Sequence, residues 1–157
     1  EAAQGEVCQA ANDNDPGQVV VSGHRAAVER ALEIAKAKGA KRAILLPVSA
    51  PFHCALMQPA AQAMAAALQN VAIKAPCVPL VANVVATAIS DPEEIKRRLV
   101  EQVVGTVRWR ECVTYMTANG VTDIYEIGAG KVLSGQATGG AANSSGERPS
   151  SPSPLSS

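Results

Sequence analysis

The sequence predicts a mixed fold in which strands alternate with helices, of the α/β or α+β class, and three observations lead there. Short β-branched runs are separated by segments whose apolar residues recur at helical spacing. Hydrophobic residues make up 47% of the 157 residues but aromatics only 3%, and 29 residues are alanine, so the core is built from small aliphatic side chains. Helix-start and turn signals punctuate the runs at short intervals.

Taken in order, residues 7–11 predict a short strand. Asn12-Asp13-Asn14-Asp15-Pro16-Gly17 is a dense turn signal, and Gln18 to Ser22 predicts a second strand. Gly23 precedes a helix with Val28, Ala31, Leu32 and Ala35 on one face, stopped by Gly39. Arg42 to Val48 predicts a strand, which completes most of a ferredoxin-like split motif. After the loop Ser49-Ala50-Pro51-Phe52-His53, Met57, Ala61, Met64 and Leu68 mark a helix that tolerates Pro59 in its first turn. Cys77 to Asn83 is extended, and its prolines confine it to a strand end or edge. Asp91-Pro92-Glu93-Glu94 opens a helix carrying Ile95, Leu99, Gln102 and Val103. Another helix spans about Arg108 to Asn119, with Trp109, Cys112, Val113 and Met116 inward and Gly120 as its stop. Thr122 to Ile127 predicts the last strand, followed by Gly128-Ala129-Gly130 and a helical turn at Lys131-Val132-Leu133. From Gln136 to Ser157, 13 of the 22 residues are Ser, Pro or Gly, which predicts a disordered tail.

Composition excludes several functions. Fourteen basic and 14 acidic residues give zero formal charge, so no basic stripe marks a nucleic-acid binder, and the few rings offer no base-stacking platform. No apolar run approaches the ~20 residues of a membrane span. Cys8, Cys54, Cys77 and Cys112 form no Cys-x-x-Cys pair, which excludes a zinc ribbon and leaves free thiols in a reducing cytoplasm as the simplest reading. No signal peptide opens the chain, although it starts at Glu1 rather than Met. There is no nucleophile elbow, Walker loop, dinucleotide fingerprint or metal-spaced cluster; Gly128-Ala129-Gly130-Lys131 lacks the spacing of a phosphate loop. His24, beside Gly23 and Arg25, reads as a solvated side chain. His53 follows a predicted strand in an apolar loop, where both a structural and a catalytic histidine are found. Its neighbour Cys54 points the other way on an extended chain, which disfavours a Cys–His dyad.

Four segments carry a family resemblance: Asn12 to Val20, Leu46-Pro47-Val48-Ser49-Ala50-Pro51-Phe52-His53-Cys54-Ala55-Leu56-Met57, Val107-Arg108-Trp109, and Tyr125 to Leu133. In order and spacing, from about Val7 to Gly135, they resemble the C-terminal half of malonyl-CoA:acyl carrier protein transacylases. The resemblance implies an α/β fold. Residues 1–48 would be part of a ferredoxin-like small subdomain, 49–135 the C-terminal part of an α/β-hydrolase-like acyltransferase core, and 136–157 a tail. It implies malonyl transfer from malonyl-CoA to the phosphopantetheine thiol of acyl carrier protein, in fatty acid synthesis, through an acyl-serine. It further implies that no cofactor or metal takes part and that the complete enzyme is a cytoplasmic monomer.

By the same resemblance His53 matches the general base and Gln102 the residue whose backbone carbonyl orients it. Asn12 and Asn14 match asparagines facing the cleft, or serve simply as turn residues. Phe52 matches a bulky side chain favouring malonyl, or packs the loop, and Asn83 orders the loop around the base. The family's serine elbow, its malonyl-pairing arginine and its last helix have no counterpart here. The resemblance therefore implies that the chain by itself is inactive and, lacking sheet neighbours, poorly soluble. A non-catalytic carrier-protein-binding remnant and a polyketide synthase acyltransferase domain are the alternative readings.

Overall fold

A computed structural model describes residues 1–141. Strands β1 (Cys8–Asp15) and β2 (Gln18–Gly23) form an antiparallel hairpin joined by Pro16-Gly17. The Asp15 carboxylate accepts the Gly17 N–H at 2.7 Å, so Asp15 makes the turn. The turn is thus shorter than the sequence predicts, and Asn12 and Asn14 lie in the strand. Two irregularities interrupt the register, between Ala10 and Asn12 and between Asp13 and Asp15. At the first, Ala11 is buried and its carbonyl faces away from β2 to accept the Val107 N–H at 2.8 Å.

Helix α1 (Arg25–Ala37) follows, and Gly39 at φ 91° ends it in the left-handed conformation that glycine adopts freely. The predicted face is half-buried, but the fully buried residue is Ala27. His24 is more than a solvated side chain: its Nδ1 accepts the Val7 N–H and its own N–H donates to the Val7 carbonyl, both at 2.9 Å. This reciprocal pair closes the root of the hairpin onto α1.

A 3₁₀ turn at Ala55–Met57 leads into α2 (Gln58–Gln69). Strands β3 (Leu80–Ala82) and β4 (Thr87–Ile89) form a second, small antiparallel hairpin, shorter than the predicted Cys77–Asn83 run. Helix α3 (Pro92–Val104) starts as predicted, with the Asp91 carboxylate accepting the Glu94 N–H at 2.7 Å and Pro92 in the first turn. Helix α4 (Trp109–Ala118) buries Cys112 and Val113, and α5 spans Val132–Ala141. The core is small and aliphatic: Ala82, Ile89 and Ile95 pack together with Ile73 and Val85, while Ala61 anchors α2 against α3.

Several expectations are corrected. Leu99 and Met64, which mark the apolar spacing of α3 and α2, are 45% and 40% exposed. Arg42–Val48 and Thr122–Ile127 join no sheet among the described residues. Their composition suits a strand, but a strand is defined by a paired neighbour, and neither run has one here. Without its third strand, the ferredoxin-like motif reduces to the β1–β2 hairpin with α1. Helix α5 continues past Gln136 to Ala141, so this part of the expected tail is helical; residues 142–157 lie outside the described residues. The Glu126 carboxylate caps α5, accepting from the Leu133 and Ser134 N–H groups and the Ser134 hydroxyl. Those bonds hold Glu126 below the usual carboxylate range. Among the described residues no helix is long and apolar enough to cross a membrane.

Candidate active site

His53 sits in the loop before the 3₁₀ turn with φ 58°, a left-handed conformation that costs a side-chain-bearing residue about 1–2 kcal/mol. Contacts on both sides hold it there. On the N-terminal side Phe52 N–H donates to the Ala50 carbonyl, and the buried Cys54 thiol donates to the Pro51 carbonyl at 3.2 Å. The Cys54 thiol proton is thus committed to a backbone carbonyl. On the C-terminal side the Ala55 N–H donates to the Gln9 side-chain oxygen at 2.7 Å.

The imidazole Nδ1 lies 2.9 Å from the Gln102 carbonyl oxygen. A carbonyl has no proton to give, so Nδ1 carries the hydrogen, and in the neutral imidazole Nε2 then keeps its lone pair. The carbonyl is available because of where α3 ends. Gly105 N–H bonds to Glu101, after which the chain turns away at Gly105 with ψ 152° and leaves the next carbonyl to the histidine. Glycine is required there: a Cβ would lie 2.8 Å from a Val84 methyl and 2.9 Å from the Glu101 oxygen. The Gln102 side chain donates to the Gly105 carbonyl at 3.0 Å, tying the same turn from the other side.

The strand β1 fastens the α3–α4 loop. Thr106 Oγ1 donates to the Ala10 carbonyl at 2.7 Å, Val107 N–H to Ala11, and Asp13 N–H to Val107 at 2.9 Å, so Asn12 and Val107 form a parallel bridge. Arg110 of α4 then grips the Asp13 carboxylate with two nitrogens, which holds Asp13 below the usual carboxylate range.

Of the residues singled out in the sequence, the structure brings together His53, Phe52 and Gln102. Phe52 is adjacent to the histidine and half exposed at 50%. Asn12 is fixed by its backbone bridge to the loop that follows α3, and the Asn14 amide donates to Gln18 at 3.3 Å within the hairpin. Asn83 is engaged with α4 rather than with the histidine loop: its carbonyl accepts the Arg108 N–H, and its side-chain oxygen accepts the Cys112 thiol at 3.5 Å. Burial pushes that thiol up to about 11. Sequence reading missed Gln9, Thr106 and the Asp13–Arg110 pair, because each joins positions far apart in the chain.

No protein-family model matches the chain. It is 50% identical over 135 residues to the malonyl CoA-acyl carrier protein transacylase of Escherichia coli K12, a match covering 86% of this chain and 44% of that protein. The acyl-carrier-protein-S-malonyltransferase of Bartonella henselae is 58% identical and superposes with a TM-score of 0.85 over 88% of this chain and 44% of its own. A malonyl-transacylase solved in complex with a type II PKS acyl-carrier protein is 45% identical, with a TM-score of 0.84 over 87% of this chain and 44% of that one. The chain thus spans less than half the length of these relatives. In sequence and in fold it is a homologue of the C-terminal part of the malonyl CoA-acyl carrier protein transacylases.

Proposed function

We propose that this chain supplies the general base of a cytoplasmic malonyltransferase that moves malonyl from malonyl-CoA to the thiol of acyl carrier protein in fatty acid synthesis. The observation that carries the reading is the 2.9 Å contact from His53 Nδ1 to the Gln102 carbonyl, which leaves Nε2 free to accept a proton. The names of the relatives supply the substrates, and the relative solved with its acyl-carrier protein supports a carrier-protein partner.

In the proposed reaction Nε2 takes the proton of a serine hydroxyl as that oxygen adds to the thioester carbonyl. The C–S bond breaks, and the imidazolium returns the proton to the departing CoA thiolate. The carrier thiol then gives its proton to His53 and attacks the acyl-serine ester, and the imidazolium returns the proton to the serine oxygen. Because a backbone carbonyl orients the ring, the Gln102 side chain acts only through the α3 end. Phe52 borders the acyl group, Asn12 and Asn14 line the cleft from β1, and Asn83 acts at a distance through α4. The nucleophilic serine comes from outside this chain, since no Gly-x-Ser-x-Gly elbow occurs in it.

The test is malonyl transfer from malonyl-CoA to carrier protein by this chain joined to the serine-bearing half of a relative. His53→Ala is expected to lower transfer by about 10³-fold or more. Transfer undiminished by His53→Ala would overturn the reading.

A further inference from the structure

We propose that Gln9, on the hairpin and distant in sequence from the histidine, is a positioning residue that fixes the backbone and ring of His53. The argument begins at the 3₁₀ turn. Its first N–H groups have no partner within the turn, and the residue that would cap them, Cys54, makes no side-chain cap bond. The Cys54 thiol is committed inward to Pro51. Gln9 supplies the missing cap from another element: its side-chain oxygen takes the Ala55 N–H at 2.7 Å, across 46 positions of sequence. That bond falls two residues after His53 and adds a tie to another element, where the Met57 N–H to Cys54 carbonyl bond at 3.0 Å and the Cys54 thiol bond to Pro51 are local to the loop.

Gln9 is also the first of three consecutive β1 residues that fasten the segments carrying His53 and Gln102. Gln9 holds the segment after His53, while the Ala10 and Ala11 carbonyls hold Thr106 and Val107, just beyond the Gln102 turn. One strand thus sets the spacing between the base and the carbonyl that orients it. Gln9 is itself exposed, so water competes for the bond. Its loss therefore acts on the geometry of His53 more than on the stability of the whole chain.

The role rests on His53 being the base, but the bond does not, so the experiment reads the bond and the ring rather than transfer. Amide exchange at Ala55 and the imidazole ¹⁵N signals of His53 are recorded by NMR on the 157-residue chain and on three variants. Gln9→Ala is expected to lower Ala55 protection about fivefold, the worth of one exposed hydrogen bond, and to replace the single Nδ1–H tautomer with a mixture. Gln9→Glu keeps the acceptor and should retain both signatures. Ala55→Pro removes the donor at a helix-start position that accepts proline, after an already extended Cys54, and should reproduce the tautomer mixture without touching β1.

An unchanged His53 tautomer in both Gln9→Ala and Ala55→Pro would overturn the proposal. So would a Gln9→Ala chain that loses the protection of α1 amides, since that would make Gln9 a structural residue only. Either result leaves the His53→Ala transfer test untouched, and a negative transfer test leaves these signals to be read on their own.

Discussion

The bracket around His53 and the two apolar runs at Arg42–Val48 and Thr122–Ile127 respond to the same chain in opposite ways. In the bracket, nearly every polar group has a named partner: Gln9 with Ala55, Gln102 with His53 and Gly105, Thr106 with Ala10, Arg110 with Asp13. In the runs the backbone joins no sheet among the described residues, and side chains that would fill a core are open to solvent: Val48 is 63% exposed, Tyr125 84% and Ile127 97%. The comparison teaches that His53 is held by hydrogen bonds within this stretch of chain, while the runs have the composition of buried strands and join no sheet among the described residues.

The largest effect expected is at the root of the bracket. A Cβ on Gly23 would lie 2.0 Å from the Val7 carbonyl oxygen and 2.6 Å from its carbon, both backbone atoms that cannot rotate away. Gly23→Ala must therefore separate β2 from Val7 and break the His24–Val7 pair, at a cost of about 3 kcal/mol or more. Gly120, at the entrance to the second run, is the matched control. It has φ 85° and nothing within 4 Å of a Cβ, so Gly120→Ala pays only backbone strain, about 1–2 kcal/mol. Urea midpoints of the two variants check the order; equal losses would show that the hairpin root is no tighter than the run.

A smaller effect, with a pH signature, belongs to the Asp13–Arg110 pair. Asp13 titrates below its ordinary value because of the Arg110 hydrogen bonds, opposed by modest burial. A carboxylate lowered in the folded state stabilises the fold above its unfolded pKa, and that contribution fades as pH falls through the lowered folded value. The side chains are 23% and 43% exposed, so solvent screens the pair and its worth at neutral pH is about 0.5–1 kcal/mol. Asp13→Asn should thus be less stable than wild type near pH 7, with the gap closing below pH ~4. A gap that stays constant from pH 7 to 3 in thermal melts would assign the loss to packing instead of charge.

How much could be read from the sequence follows from how local each cause is. The start of α3 was legible because its cap is written within four residues, Asp91 to Glu94. The stop of α1 at Gly39 was legible for the same reason. Residue spacing left His53 undecided between a structural and a catalytic role; only the match of its surrounding segment to a family singled it out. Gln9 was not legible, because its partner is 46 residues away and a glutamine on a strand edge carries no signal of its own. Arg42–Val48 was misread because β-branched residues report a suitability for sheets, and the sheet itself depends on a neighbour elsewhere. Helix α5 was legible only as a turn at Lys131-Val132-Leu133, because the Gly and Ser that follow weigh against a helix, whereas the Glu126 cap that supports its start lies before it in sequence.

The smallest effect on stability is expected in the runs, and it is the sharpest check on the comparison. Ile127 is 97% exposed, so replacing it with lysine removes almost no buried surface and breaks no contact of the core. Ile127→Lys and Val48→Lys should each change the unfolding free energy by no more than about 0.5 kcal/mol, as for substitutions at open surface positions. The same charges should act strongly on association, because apolar extended segments with unpaired N–H and C=O groups are templates for pairing with another chain, and a lysine interrupts that pairing. Light scattering against concentration should therefore show less self-association in both variants, while urea midpoints barely move. A loss above about 1 kcal/mol would mean that the runs are packed in solution, since a lysine costs that much only where an apolar side chain had been withdrawn from water. The exposed state of Ile127 and Val48, and with it the contrast to the bracket, would then fall.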